Sequence, residues 1–247
     1  MTFILLRARL APIALTALAT AGLIGCGGSG SATPGPMPLP TYTVTPVLHK
    51  FSGNEAYQYS ITNATQTTAG TSSSVLTPAL RKIALKPSGS NFEFLISNQF
   101  GSGVSQITET QDYLFAQDSN ENLNFVANKR TNPAGTESAT APIEFLPGTF
   151  TSAGTVNTTG FLNPTGNYNQ NLTTTGTTNV TIGIGTFNGV YVVNDTYTVD
   201  QVTFKGTYFY DPHLGTYVSG DETVTDTVNN TITSFHLELT SFNNVTP

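Results

Sequence analysis

Residues 201–242 read QVTFKGTYFYDPHLGTYVSGDETVTDTVNNTITSFHLELTSF, and this stretch decides the fold class. Apolar and polar side chains alternate with a period of two, which places them on opposite faces of β-strands. Val202, Phe204, Tyr208 and Tyr210 share one face, interrupted by Gly206. Phe235, Leu237 and Leu239 repeat the pattern on the last strand, where His236 and Glu238 point away. Between strands, Pro212 sets φ and Gly215 supplies permissive geometry in the turn 211–215. Asn229-Asn230 is expected to join the last two strands as a two-residue turn.

Working outward, strands over 179–184, 189–199, 201–210, 216–228 and 231–242 make a meander. Upstream, 80–86 and 91–97 form a hairpin through the turn 87–90. Its apolar faces carry Ile83 and Leu85, then Phe92, Phe94 and Ile96. A second hairpin pairs 106–116 with 122–129 through 118–121. Residues 139–176, with Pro142, Pro147 and Pro164, read as loops around one short strand, Ile143 to Leu146. A short helix has its best place at 72–80. The expectation is therefore all-β: an antiparallel meander forming a half-barrel, barrel or sandwich, with at most one or two short helices. Residues 41–247 are expected to make one domain. Its apolar sheet face must be covered by a second sheet, a short helix or a bound apolar ligand.

Composition narrows the function classes. Charged residues are 10% of the chain, with net charge -6, against about 25% in ordinary soluble domains. Thr, Asn, Ser and Gly take their place, suiting an exported β protein with a neutral, hydrogen-bonding surface. After Arg130 the only basic side chain is Lys205. No clustered Lys and Arg exist to form a nucleic-acid footprint. Lys82 and Lys86 fall on one solvated strand face, and the dispersed acids of the second half read as solubility features.

The N-terminus carries an address. Arg7 and Arg9 precede a mostly apolar run from Leu10 to Leu23, about 14 residues and shorter than the roughly 20 that span a bilayer core. It ends in Leu23-Ile24-Gly25-Cys26, which contains the only cysteine. This segment resembles the lipobox of bacterial lipoproteins. The resemblance implies cleavage between Gly25 and Cys26, removal of 1–25 as a signal peptide, and lipidation of Cys26 at its thiol and new amino group. The membrane would be a partner through that anchor. Gly27, where an Asp would favour inner-membrane retention, tilts the resemblance toward the outer membrane. Residues 27–40, GGSGSATPGPMPLP, form a tether with Pro at 34, 36, 38 and 40. Extended, it would reach about 40 Å.

A second resemblance covers about 179–242. Gly185-Thr186-Phe187 before Val190-Tyr-Val-Val193, then Gly206 to Gly215 before Tyr217-Val218, is similar to exported lipoproteins of half-barrel architecture. Those periplasmic lipoprotein carriers hold acyl chains against a curved sheet. The resemblance implies a hydrophobic ligand, with no assigned active site.

Candidate chemical sites fall away on their spacing. Asp118-x-Asn120-x-Asn122 begins like a calcium loop, but Leu123 and Lys129 stand where Gly and Glu are needed. Gly183, Gly185 and Gly189 miss the dinucleotide spacing. His49, His213 and His236 have no metal-ligand spacing, and His213 beside Asp211 reads as a turn histidine. Gly-x-Ser-x-Gly is absent, and Asp221 and Glu222, adjacent on a strand, must face opposite ways. No catalytic, metal or cofactor residue is assigned. Three readings stay open: a non-enzymatic lipoprotein binding a lipid or other hydrophobic ligand, an adhesive or scaffolding module with an envelope-protein partner, and a hydrolase assembled only by the fold.

Overall fold

A computed structural model describes residues 38–68, 74–76, 79–101, 106–131, 134–163 and 166–243. Gly25 and Cys26, the expected cleavage and lipidation residues, lie outside them. The described residues form strands β1 (Thr41–Thr43), β2 (Ala56–Thr68), β3 (Ser74–Val75), β4 (Ala79–Ser88), β5 (Asn91–Phe100), β6 (Ile107–Gln117) and β7 (Leu123–Thr131). They continue through β8 (Ala134–Leu146), β9 (Gly154–Asn163), β10 (Gly166–Ile182), β11 (Gly185–Val199), β12 (Val202–Asp211), β13 (Thr216–Asp226) and β14 (Thr231–Asn243). Among the described residues there is no helix. Twelve antiparallel strands close into a barrel. The order β11-β10-β9-β8-β7-β6-β5-β4-β2-β14-β13-β12 returns to β11 through β11–β12 pairing. Of the three arrangements that the periodicity left open, the chain takes the closed barrel.

Closure follows from pairings of very different range. Most neighbours are hairpins, but β14 pairs β2 from Thr231↔Thr68 to Asn243↔Ala56. That non-local ladder turns a long meander into a ring and leaves neither strand as an exposed edge. β1 adds in parallel to β11, Thr41↔Thr186, and β3 adds to β2.

Two expectations are corrected. The region 139–176 is mostly strand, parts of β8, β9 and β10. Its inward positions include Gln170 and Thr174 beside Tyr168 and Leu172, so polar residues interrupt the apolar alternation while Thr still fits the pleat. The connection between β13 and β14 is four residues, 227–230, instead of two. Asp226 Oδ1 accepts the N–H groups of Val228 and Asn229, and Asn230 takes φ 52°. Pro142 leaves a different mark. β8 and β9 pair only at Ser138↔Asn163 and Ala139↔Leu162. Against β7, the β8 register slips between Phe125↔Ile143 and Ala127↔Ser138. Pro142, which has no N–H to donate, lies in that bulge. Below it the wall is joined by side chains: Thr158 Oγ1 donates to Glu144 O at 3.0 Å, and the Ile143 side chain lies against Gly160.

Inside and outside are sharply different. Phe125, Tyr168, Leu237 and Leu239 are buried within. Outward positions carry residues such as Asn167, Asn169, Asn171, Thr155 and Asn157. A barrel that spans a bilayer needs an outward apolar band about 25 Å tall; this outer wall carries Asn and Thr where that band would lie.

One end of the barrel is plugged by residues 44–55, which run from β1 to β2. Leu48 N donates to Gly148 O at 2.9 Å, His49 N to Pro212 O at 2.7 Å, and Phe150 N to Pro46 O at 2.8 Å. Gln117 accepts from Phe51 N at 3.1 Å and donates to His49 O at 2.8 Å. The strap thereby bridges the β6–β7, β8–β9 and β12–β13 connections, and its Leu48 and Phe51 are buried. Its own turn is held by Glu55, whose carboxylate accepts the N–H groups of Ser52, Gly53 and Asn54.

Candidate ligand site in the barrel lumen

A ring of about eight strands encloses space that side chains just fill. Twelve strands enclose more, and this chain answers with rings. Phe125 stacks on Tyr168 at 5.2 Å, Tyr197 on Phe204 at 4.6 Å, and Phe145 meets Tyr197 edge-on at 5.7 Å between centroids. Gly206 is part of the same packing. It faces inward between Asp195 and Glu222 on the neighbouring strands, and a methyl there would collide with the Tyr208 ring. Tyr208 thus lies back along its own strand, over the glycine, and donates to Glu222 Oε2 at 3.0 Å. A cavity of about 130 Å³ remains, walled by these rings together with Arg81, Asp195 and Glu222.

Two polar groups stand in this apolar space. The first is an ion pair. Arg81 on β4 donates from Nη2 to Glu222 Oε1 at 2.7 Å and from Nη1 to Oε2 at 3.0 Å. Its Nε donates to Asn98 Oδ1 and its Nη1 to Tyr217 OH, both at 2.7 Å. The guanidinium also lies 5.2 Å from the centroid of the Phe235 ring. Burial works against the Arg81 charge, but Glu222 and Tyr217 more than offset it and raise its pKa. Every vertex of Glu222 and most donors of Arg81 are therefore used, as a buried pair requires.

The second is Asp195 on β11, 7% exposed. Its oxygens accept from Gln170 Nε2 at 3.2 and 3.1 Å, and the Gln170 carbonyl accepts from Tyr168 OH at 2.9 Å. All of these partners are neutral. Burial pushes the Asp195 carboxyl up to about 7, opposed by the Gln170 and Thr196 donors and reinforced by the Glu222 charge.

These groups correct the reading of the second-half acids as solubility features. Glu137, Asp195, Asp211 and Glu222 are all buried. Asp221 and Glu222 do face opposite ways, outward and inward, and the inward one holds Arg81. Asp211 caps its turn, accepting from His213 N at 3.0 Å and Leu214 N at 3.3 Å. Burial raises its carboxyl to about 6. Asp118 caps the β6–β7 turn through the N–H groups of Asn120 and Asn122. Gly183 lies in the β10–β11 turn, and Gly189, at φ 84°, forms a bulge in β11. Among the described residues no group of three or more His, Cys, Asp or Glu is placed to hold a metal.

One outer-face arrangement has the order of a hydrolytic relay. Ser219 Oγ lies 3.3 Å from His236 Nε2, and His236 Nδ1 lies 2.9 Å from Asp221 Oδ1. The signal was Ser219-x-Asp221 on one strand with His236 paired opposite Asp221. Yet the Ser219 hydroxyl donates to Leu237 O at 3.0 Å, and Ser219 is only 5% exposed. The arrangement reads as a surface hydrogen-bond chain. No family model, curated protein or solved structure matches this chain, so the lumen has to be interpreted from its own chemistry.

Two predictions test this electrostatic account. Arg81→Met strands Glu222 in the lumen and should cost about 3–5 kcal/mol in urea unfolding. Adding Glu222→Leu should recover most of it; a single variant within about 1 kcal/mol of wild type would refute the pair's role. Asp195 sets a pH trend. The unfolded chain releases this proton near 3.8 and the folded protein near 7. Stability from this group is therefore full at low pH and lost as pH rises through that window, by about 4 kcal/mol at most. Asp195→Asn should flatten the slope of unfolding free energy between those values; an unchanged slope would contradict the assignment.

Proposed function

We propose that this protein is a lipid-anchored, non-enzymatic barrel of the bacterial cell envelope that holds one small hydrophobic ligand in its lumen. The observation that carries the reading is an aromatic-walled cavity inside a closed barrel whose outer wall is polar. The second support is the Cys26 lipobox, whose anchoring needs more than one acyl chain and gains about 0.8 kcal/mol per buried methylene. Gly27 favours the outer membrane as its destination.

The size of the cavity bounds the ligand. A volume of about 130 Å³ is close to the roughly 150 Å³ engineered cavity that binds benzene. It is well below the 300 Å³ or more of sites for drug-sized molecules. A ring-sized molecule suits it, whereas a diacyl lipid is too large. The half-barrel carriers that the C-terminal strands resemble hold acyl chains on an open sheet; here the ladder is closed, so the apolar face is reached only as a lumen.

Native mass spectrometry of protein taken from membranes should show one small apolar adduct per chain. Val193→Phe, which adds a ring where a cavity-lining side chain now stands, should abolish the adduct without loss of the β signal in circular dichroism. An adduct-free wild type that also fails to bind benzene-sized probes would sink the ligand reading. Cys26→Ser should move the protein from the membrane to the soluble fraction, and retention in the membrane would overturn the anchor.

A further inference from the structure

We propose that the lumen is a site for a small organic cation, with a ring-sized apolar body and an ammonium group that pairs with Asp195. The inference rests on the lumen reading above and adds the head group of the ligand. Three features carry it.

The first is an imbalance of charge. Among the described residues that line the lumen there is one cation, Arg81, and it makes four hydrogen bonds, to Glu222, Asn98 and Tyr217. Asp195 lines the same cavity and takes part in none of the ion pairs among the described residues. Its donors are the Gln170 amide and the Thr196 backbone. A buried carboxylate held only by neutral groups gains most from a cation placed beside it.

The second is the wall. Tyr168, Tyr197, Phe204 and Tyr208 line the cavity with Asp195, and faces of such rings attract ammonium groups. The Arg81 guanidinium over Phe235 already uses that interaction within this barrel. The third is exclusion. An anionic head group would meet Asp195 and Glu222, and Arg81, the one cation lining the cavity among the described residues, is already paired with Glu222 through both terminal nitrogens. A fatty acid anion is therefore disfavoured by the same charges that favour an amine.

Benzylammonium, benzyl alcohol and benzoate share a ring of the right size and differ in head group. Calorimetric titration of the wild-type protein should show benzylammonium binding about tenfold or more tightly than benzyl alcohol, with benzoate undetectable. Asp195→Asn should bring the amine down to the alcohol. A measurement on the wild type avoids reliance on that variant's folding. Benzylammonium stays charged from about pH 5 to about pH 8, so its affinity should rise across that range as Asp195 ionises, while that of the alcohol stays flat. The charged and titratable groups facing Asp195 are Tyr168 on β10, Tyr197 on β11 and Glu222 on β13, with Arg81 beyond Glu222. The tyrosines are pushed up by burial, and Arg81 is held charged. If alcohol and amine bind equally, or benzoate binds as well as either, the head-group proposal falls and the cavity survives. If none of the three binds, cavity and head group fall together.

Discussion

The volume inside a twelve-strand ring is the constraint on which the rest of this structure depends. Aliphatic side chains alone would leave that space empty, and an empty interior forfeits both dispersion contacts and burial. The chain fills it with Phe and Tyr, whose rings reach from wall to wall: Phe125 on β7 meets Tyr168 on β10, three strands along the ring. Gly206 belongs to the same solution, because the space it leaves free lets Tyr208 lie down and hold Glu222. The strap 44–55 completes it by closing one end with Leu48 and Phe51.

Filling a wide lumen with tyrosine has an electrostatic consequence. Each phenol brings a polar atom into a dry space; the Tyr210 hydroxyl has no partner among the described residues, whereas three others join the buried polar groups. Tyr208 and Tyr217 bond Glu222 and Arg81, while Tyr168 bonds Gln170 and through it Asp195. The two networks differ in one respect that decides what the cavity can accept. Arg81 and Glu222 neutralise each other, whereas Asp195 has only dipoles. On the proposed ligand reading, this difference gives the cavity a sign.

Much of the wall was legible along the chain. The hairpin faces of Ile83 and Leu85 against Phe94 and Ile96 were read from period two, as were Phe204, Tyr208 and Tyr210. These are local signals, because a strand with one buried face must alternate. The stretch 139–176 escaped because Gln170 and Thr174 face inward and Pro142 interrupts β8, so alternation there carries little hydropathy. The lumen site was legible only in part. The opposition of Asp221 and Glu222 follows from the pleat, but nothing near Glu222 in the chain announces Arg81, which lies 141 residues away.

The order of residues was sufficient for strand class and for most turns, since pleat and turn chemistry are both written in neighbouring residues. Closure needed the folded chain. Whether the meander stays open or becomes a ring depends on β14 finding β2, and hydrogen bonds between distant backbones leave no local trace in side-chain pattern. The same closure assigned the acids their roles: once the ring defined an interior, Asp195 and Glu222 were inside it and Asp221 was not.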